Sequence, residues 1–136
     1  MSDSVLHPIH YCSLSSAADA IRDGQLSPVE LTEKLLSRID SVDGQLKSYA
    51  TVMTEQAMEA GRKAEQEIQA GNYKGPLHGI PIAVKDLCFT AGTGTMGGLK
   101  VLRDFVPDYD ATVVHKLREA GAVILGKLNL TEGALS

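Results

Sequence analysis

The order of apolar and polar positions divides the chain into a helical first half and a second half in which short apolar runs alternate with loops. Leu14 to Asp23 carries Leu14, Ala17, Ala18 and Ile21 at helical spacing, with Gly24 just past its end, and reads as a short helix. Ser27-Pro-Val-Glu30 then supplies an N-cap, a proline at the first helical position and a capping-box glutamate. Behind it Leu31, Leu35, Ile39 and Val42 recur every three or four residues, a core-facing stripe that Asp43-Gly44 is expected to stop. Tyr49 to Met53 suits a short strand or an extended link. Thr54 to Ala70 reads as a third helix, ended by Gly71-Asn72. Its Ala57, Gly61, Ala64 and Ile68 share a face of mostly small residues, and Glu55, Glu59, Arg62, Lys63 and Glu67 read as a solvated charged face.

From residue 75 the pattern changes. Gly75-Pro76 and Gly79 are turn chemistry, and Ile80, Ile82, Ala83 and Val84 form a short, β-branched apolar run that predicts a buried strand with Lys85 on its end. A Gly/Thr-rich loop follows from Thr90 to Gly98. Asp110 is placed to cap a helix over Ala111 to Ala120, with Val113, Val114 and Leu117 inward and Gly121 as its stop. Ala122 to Leu125 predicts a second buried strand, and Asn129 or Thr131 could start another helix. A strand, a crossover containing a helix, and a second strand make the pattern of a parallel α/β sheet.

Composition narrows the function classes. The 136 residues suit one domain with a core large enough to fold without staples, and a net charge of −4 offers no polycationic surface for nucleic acid. The absence of Trp and the low aromatic content argue against a stacking platform for bases. No apolar run approaches membrane-span length, and Met1-Ser-Asp-Ser lacks the basic and apolar regions of a signal peptide. Cys12 and Cys88 lie far apart, outside any Cys-x-x-Cys pair, so free thiols and a cytoplasmic location are expected. His7, His10 and Cys12 look superficially like metal ligands, but a zinc site needs about four ligands and no second cluster follows. No metal and no cofactor are expected.

Two glycine patterns imitate nucleotide motifs. Gly92-Thr-Gly94-Thr-Met-Gly97 fits G-x-G-x-x-G, yet no periodic helix starts at Gly97 and the next strand runs into Gly126-Lys127 instead of an acidic residue. Gly121-Ala-Val-Ile-Leu-Gly126-Lys127 matches most of a P-loop, but its four inner residues form the most apolar run of the segment, and Leu128 stands where magnesium would need Ser or Thr. Both are read as ordinary backbone. Lys85 is different. Burying an ammonium is costly and lowers its pKa, so a lysine at a strand end is either a solvated side chain beside Asp86 or a base near neutral pH.

Taken in order, Gly79-Ile-Pro-Ile-Ala-Val-Lys85-Asp86, the Gly/Thr loop, Asp110-Ala-Thr-Val-Val114, Glu119-Ala-Gly-Ala-Val-Ile124 and Gly126-Lys-Leu-Asn129 resemble the N-terminal part of an amidase signature family enzyme. Upstream, Ser27-Pro-Val-Glu-Leu31 and Ile39 resemble the family's leading helices. The resemblance implies an α/β fold in which N-terminal helices precede the first strands and helices of a mixed or parallel sheet. Residues 1–74 would be helical scaffold, and 75–136 the start of the α/β core of a single amidase domain. It also implies hydrolysis of a carboxamide through an acyl-enzyme by a Ser–Ser–Lys triad, with Lys85 at the position of the general base.

Both catalytic serines of the family lie in glycine/serine-rich stretches downstream. After Lys85 this chain holds a single serine, Ser136, so the serines are expected beyond residue 136 and the chain alone is expected to be inactive. Ala134, Leu135 and Ser136 fall where family members line the acyl pocket; the alternative for Ala134 and Leu135 is a first helical turn packing inward. The sequence departs from the family's pattern at Thr95-Met96, where a Thr-Thr pair is usual, at Gly97-Gly98, where Gly-Ser is usual, and at Leu128, where Thr is common. The implied partners are a small-molecule amide, the remainder of the same polypeptide and, as an open alternative, a second copy in a homodimer. Neither direct nucleic-acid binding nor membrane contact is implied. Two other readings stand beside this one: the amidase subunit of a tRNA-dependent amidotransferase, and a non-catalytic structural or binding module should the gene end at Ser136.

Overall fold

The computed structural model of the chain describes residues 8–135. Helix α1 spans Leu14–Arg22, with the Ser13 hydroxyl accepting from the Ser16 amide at 3.1 Å. Ala17, Ala18 and Ile21 are buried as the pattern requires, but Leu14 is half exposed. Helical side chains lean toward the N-terminus, so one in the first turn overhangs the packed surface. Helix α2 spans Pro28–Leu46 and begins where Ser27-Pro28 places it, the Ser27 hydroxyl accepting from Glu30 N at 3.1 Å. Only half of the capping box forms, because the Glu30 carboxylate pairs with Lys34 at 3.4 Å. The helix also runs through Gly44, a tolerable loss of about 1 kcal/mol against Ala, and stops at Lys47 in the left-handed conformation with φ 55°. Asp43 acts there after all: its Oδ1 accepts from Ser48 N at 2.7 Å and catches the departing chain.

Strand β1, Tyr49–Val52, leads into helix α3, Thr54–Gln69, whose small face meets α2. A Cβ added at Gly61 would stand 3.2 Å from Thr32 Oγ1, which is how closely the two helices approach. The charged face of α3 is not wholly solvated. Glu67 is largely covered and pairs with Lys74 at 2.9 Å and with His78 Nε2 at 2.9 Å. The Lys74 amide donates to His78 Nδ1 at 3.1 Å, so the ring proton resides on Nε2 and faces Glu67. His78 is fully enclosed. The bond from Lys74, joined by that from His78, holds the Glu67 carboxyl below its ordinary value.

Strand β2 is Pro81–Lys85, helix α4 is Thr112–Glu119 and strand β3 is Val123–Leu128. They form a three-stranded sheet in the order β1-β3-β2. β2 and β3 run parallel, as the strand–helix–strand pattern requires, while β1 adds antiparallel, so the sheet is mixed. The last strand in sequence is thus the central one. The β2–β3 pairing shifts register just before Gly126 and the β1–β3 pairing between Tyr49 and Thr51, and a Cβ added at Gly126 would come within 2.3 Å of the Thr51 carbonyl. Glycine is there because β1 crosses too closely for any side chain. What resembled a P-loop is a buried strand.

Three apolar clusters hold the layers. Ala17, Ala18, Ile21, Leu31 and Ile80 join the leading helices to the start of β2. Met53, Val84, Val114 and Ile124 join the sheet to α4. Ala57, Val123 and Leu125 face α3 and the half-buried Leu35, Leu36 and Ile39 of α2. Val113, expected inward, is half exposed, since α4 buries only the narrow stripe through Val114 and Leu117. Nor does Asp110 cap α4. That position falls to Ala111, without a side-chain bond, because the Asp110 carboxylate is engaged by Ala91 N at 2.8 Å and Arg118 Nε at 3.0 Å. It ties the glycine loop to the helix instead.

Candidate active site

Lys85 ends β2 and is exposed on the described surface. Its neighbour Asp86 does not turn out beside it. Alternation along β2 and its register with β3 place Val84 opposite Lys127, and Lys85 opposite Leu128 on the other face of the sheet. Asp86 therefore points inward, and the buried cation of the region is Lys127, with 0% of its surface exposed. Lys127 Nζ stands 3.2 Å from Asp86 Oδ1, donates to Thr95 Oγ1 at 2.7 Å and reaches the Gly94 carbonyl at 3.5 Å. Asp86 Oδ1 has no well-angled hydrogen bond of its own, so its link to Lys127 is ionic contact, while Oδ2 accepts from Met96 N at 3.0 Å.

The backbone around Lys85 is held as firmly. The Lys85 carbonyl accepts from Cys88 N at 2.9 Å, Asp86 N donates to Leu128 O at 2.9 Å, and Asp86 O accepts from Gly97 N at 2.8 Å. Gly97 O in turn accepts from Gly133 N at 2.9 Å. Gly98, at φ +71°, lies so close to the 131–133 segment that an added Cβ would stand 2.6 Å from Thr131 O. The strand end, the glycine loop and the last turn of the chain thus converge around the residue that follows Lys85.

That last turn departs from the helix expected at Asn129 or Thr131. Asn129 side-bonds to Lys47 O at 2.7 Å, and only a short 3-10 turn, Glu132–Ala134, forms, with Gly133 at φ 61° and Ala134 at φ 60°. Of the residues matched to the acyl pocket, Ala134 is half-buried, Leu135 points to solvent, and Ser136 lies outside the described residues. Leu135 therefore does not pack inward as a first helical turn would. The loop with the dinucleotide-like glycines makes a Thr90–Thr93 bridge, and the next helical residues after it are a 3-10 turn at Lys100–Leu102.

Among the described residues no group of three His, Cys, Asp or Glu stands close enough to hold a metal ion, and His7 lies outside them. Cys12 and Cys88 are free thiols. No helix among these residues is long and apolar enough to cross a membrane. A cavity of about 360 Å³ opens between α3 and the start of β3, lined by Met53, Glu59, Lys63, Glu67, Lys74 and Arg118; Lys85 is not part of it. Sequence reading singled out Lys85 and missed Lys127, Asp86 and Thr95. The available signal was a lone lysine continuing an apolar strand, since an interior lysine requires a counter-charge.

The family model described as Amidase matches residues 30–136. A Mycobacterium tuberculosis protein that carries the name amidase AmiD is 56% identical over 121 residues, which is 89% of this chain and 26% of that protein. One subunit of the glutamyl-tRNA(Gln) amidotransferase of Geobacter metallireducens is 44% identical over 133 residues, 98% of this chain and 26% of its own. Among solved structures, the native peptide amidase of Stenotrophomonas maltophilia superposes with a TM-score of 0.86 at 34% identity, over 92% of this chain and 26% of that one. The chain spans about a quarter of the length of these relatives. Its mixed α/β fold, the ordered motifs around Lys85 and the family match agree: the chain belongs to the amidase signature family.

Proposed function

We propose that the protein carrying this chain hydrolyses a small or aryl/alkyl carboxamide to a carboxylate and ammonia or an amine, with Lys85 as the general base. The observation that supports this most is the state of Lys85 at the carboxyl end of a parallel strand. Lys85 enters no ion pair among the described residues, and it differs from the other unpaired lysines, Lys47, Lys63, Lys100 and Lys116, in standing at the carboxyl end of β2. The carboxyl ends of strands are where open α/β sheets place their ligands. A neutral Lys85 amine would take the proton of a bridging serine as that serine takes the proton of the nucleophilic serine. The nucleophile's oxygen then attacks the amide carbon, the C–N bond breaks, and the proton returns along the same relay to the leaving nitrogen. Water hydrolyses the resulting ester. Both serines, the amides that hold the oxyanion, and the cover that would desolvate Lys85 belong to sequence beyond residue 136 in this reading.

Ala134, Leu135 and Ser136 would line the acyl side of the substrate. The turn containing Ala134 supports this, because Gly133 is hydrogen-bonded to Gly97 and Gly97 to Asp86, next to Lys85. Amide cleavage by full-length protein, followed by ammonia or amine release with and without EDTA, tests the reading: activity should persist in chelator. Loss with EDTA and recovery with zinc would sink it. The similarity to the amidotransferase chain favours a second reading, in which the same chemistry supplies ammonia within a complex. Activity that requires a tRNA-bound substrate and co-purifying subunits would decide for that second reading.

A further inference from the structure

We infer that Lys127, Asp86 and Thr95 are positioning residues for Lys85, acting through the backbone on the far side of the sheet; this rests on the assignment of Lys85 as the base. Lys127 is enclosed and its ammonium is committed to Asp86, Thr95 and the Gly94 carbonyl, so it is not free to exchange protons with a substrate. What it holds is Asp86. That residue is fixed through its amide to β3, through its carbonyl to Gly97, and through its carboxylate to Met96 N and Lys127. Thr95, Met96 and Gly97 are consecutive, so the cluster clamps the glycine loop and the strand end to each other.

Lys85 has little freedom left in its main chain: Leu128 opposes it in the sheet and Cys88 N bonds its carbonyl. An ion pair buried this deeply is a poor source of stability compared with an apolar pair of the same volume. Its use here is geometric. It makes the direction of the Lys85 side chain depend on a charge pair that exists only when β2 and β3 are in register, with the loop joined to it through Thr95 and Met96 N. Lys127 belongs to β3 and Thr95 to the loop, so three separate segments must be in place before the base is aimed.

The test uses full-length protein and separates kcat from KM. Thr95→Val removes the hydroxyl 2.7 Å from Lys127 Nζ at nearly constant volume, and Thr95→Ser retains it. Misplacing a reacting group by an ångström costs up to about 10²-fold, so Thr95→Val should lower kcat by about tenfold with KM within about twofold. Thr95→Ser should restore it, well below the melting temperature of each variant. Lys127→Met strands the Asp86 charge and loosens the fold, so it is read only as a folded protein, where a larger loss of kcat is expected. A Thr95→Val enzyme with wild-type kcat overturns the inference, whatever its melting temperature. So does a loss of kcat that Thr95→Ser fails to restore. Lys85→Ala is the control: an inactive Lys85→Ala beside a fully active Thr95→Val rejects the positioning cluster alone, and an active Lys85→Ala rejects the base itself.

Discussion

The two ends of β2 are built to different rules. At its start, His78 is enclosed, both ring nitrogens are satisfied, and Gly79 N and Ile80 O bond to Gly121 O and Val123 N at 2.9 Å each. The polar groups named there all have local partners, and Ile80 packs in one apolar cluster with Ile21 and Leu31. At its other end Asp86 and Lys127 hold the inner face, with Asp86 Oδ1 in ionic contact alone, but Lys85 and Leu87 stand exposed on the surface. One end is finished; the other is rigid beneath and open above. Rigidity beneath an exposed side chain is what the base proposed at this strand end would require, because a base must be aimed before it is used.

This contrast can be broken in graded ways. The largest effect expected is on chemistry: Lys85→Ala in the full-length protein should lower kcat by about 10²–10⁴-fold, while the fold stays largely intact by circular dichroism. Near-wild-type turnover would end the assignment of that strand end as catalytic. Next comes the buried pair. Lys127→Met should cost about 3–5 kcal/mol in urea unfolding because Asp86 remains buried without its counter-charge. Adding Asp86→Asn, which removes the stranded charge and keeps an acceptor for Met96 N, should recover part of the loss. A double variant less stable than Lys127→Met alone would show that the charge is not the cause. Gly126→Ala, pressed against the Thr51 carbonyl, should cost about 1–3 kcal/mol, the usual range for overpacking; an unchanged melting temperature would mean that β1 does not cross there.

The smallest effect belongs to the closed end. Glu67 has its folded pKa below the ordinary value, so it contributes stability above the unfolded pKa and loses it as pH falls through the lower, folded one. The stability of the parent protein should therefore decline on acidification below about pH 4.5, and Glu67→Gln should flatten that decline while lowering stability near neutrality. Parallel pH profiles for the two proteins would show that the His78–Glu67–Lys74 contacts contribute nothing to acid sensitivity.

Local signals in the sequence placed nearly every element. Ser27-Pro28 fixed the start of α2, the small residues of α3 marked the helix–helix contact, and the apolar runs at Ile80 and Ala122 became parallel neighbours. Pairings between distant segments escaped it. Asp110 has the side chain of an N-cap, but its carboxylate serves Ala91 N, an amide that only the folded loop brings near. β1 is short and mostly exposed, so neither its place in the sheet nor its antiparallel direction left an apolar trace. Lys127 was hidden for a related reason. Its partner Asp86 precedes it by 41 positions, and only the register of β2 on β3 aligns them. Within the site, the position of Lys85 was legible from its strand, whereas the clamp beneath it was not.

Because the central strand is the last of the three in sequence, the sheet has an order of assembly built into the gene. During synthesis β1 and β2 emerge with no strand to pair with, and Gly126-Lys127 must arrive before either can close. At about 5–20 residues per second, the 76 residues that follow Val52 up to Leu128 take on the order of 4–15 s to make. Through that interval the helices can dock on one another, but the edge of β1, and that of β2 for the last 43 residues of it, remain open to foreign strands. The buried lysine arrives with the strand that ends the wait, and its ion pair cannot form until translation has passed it.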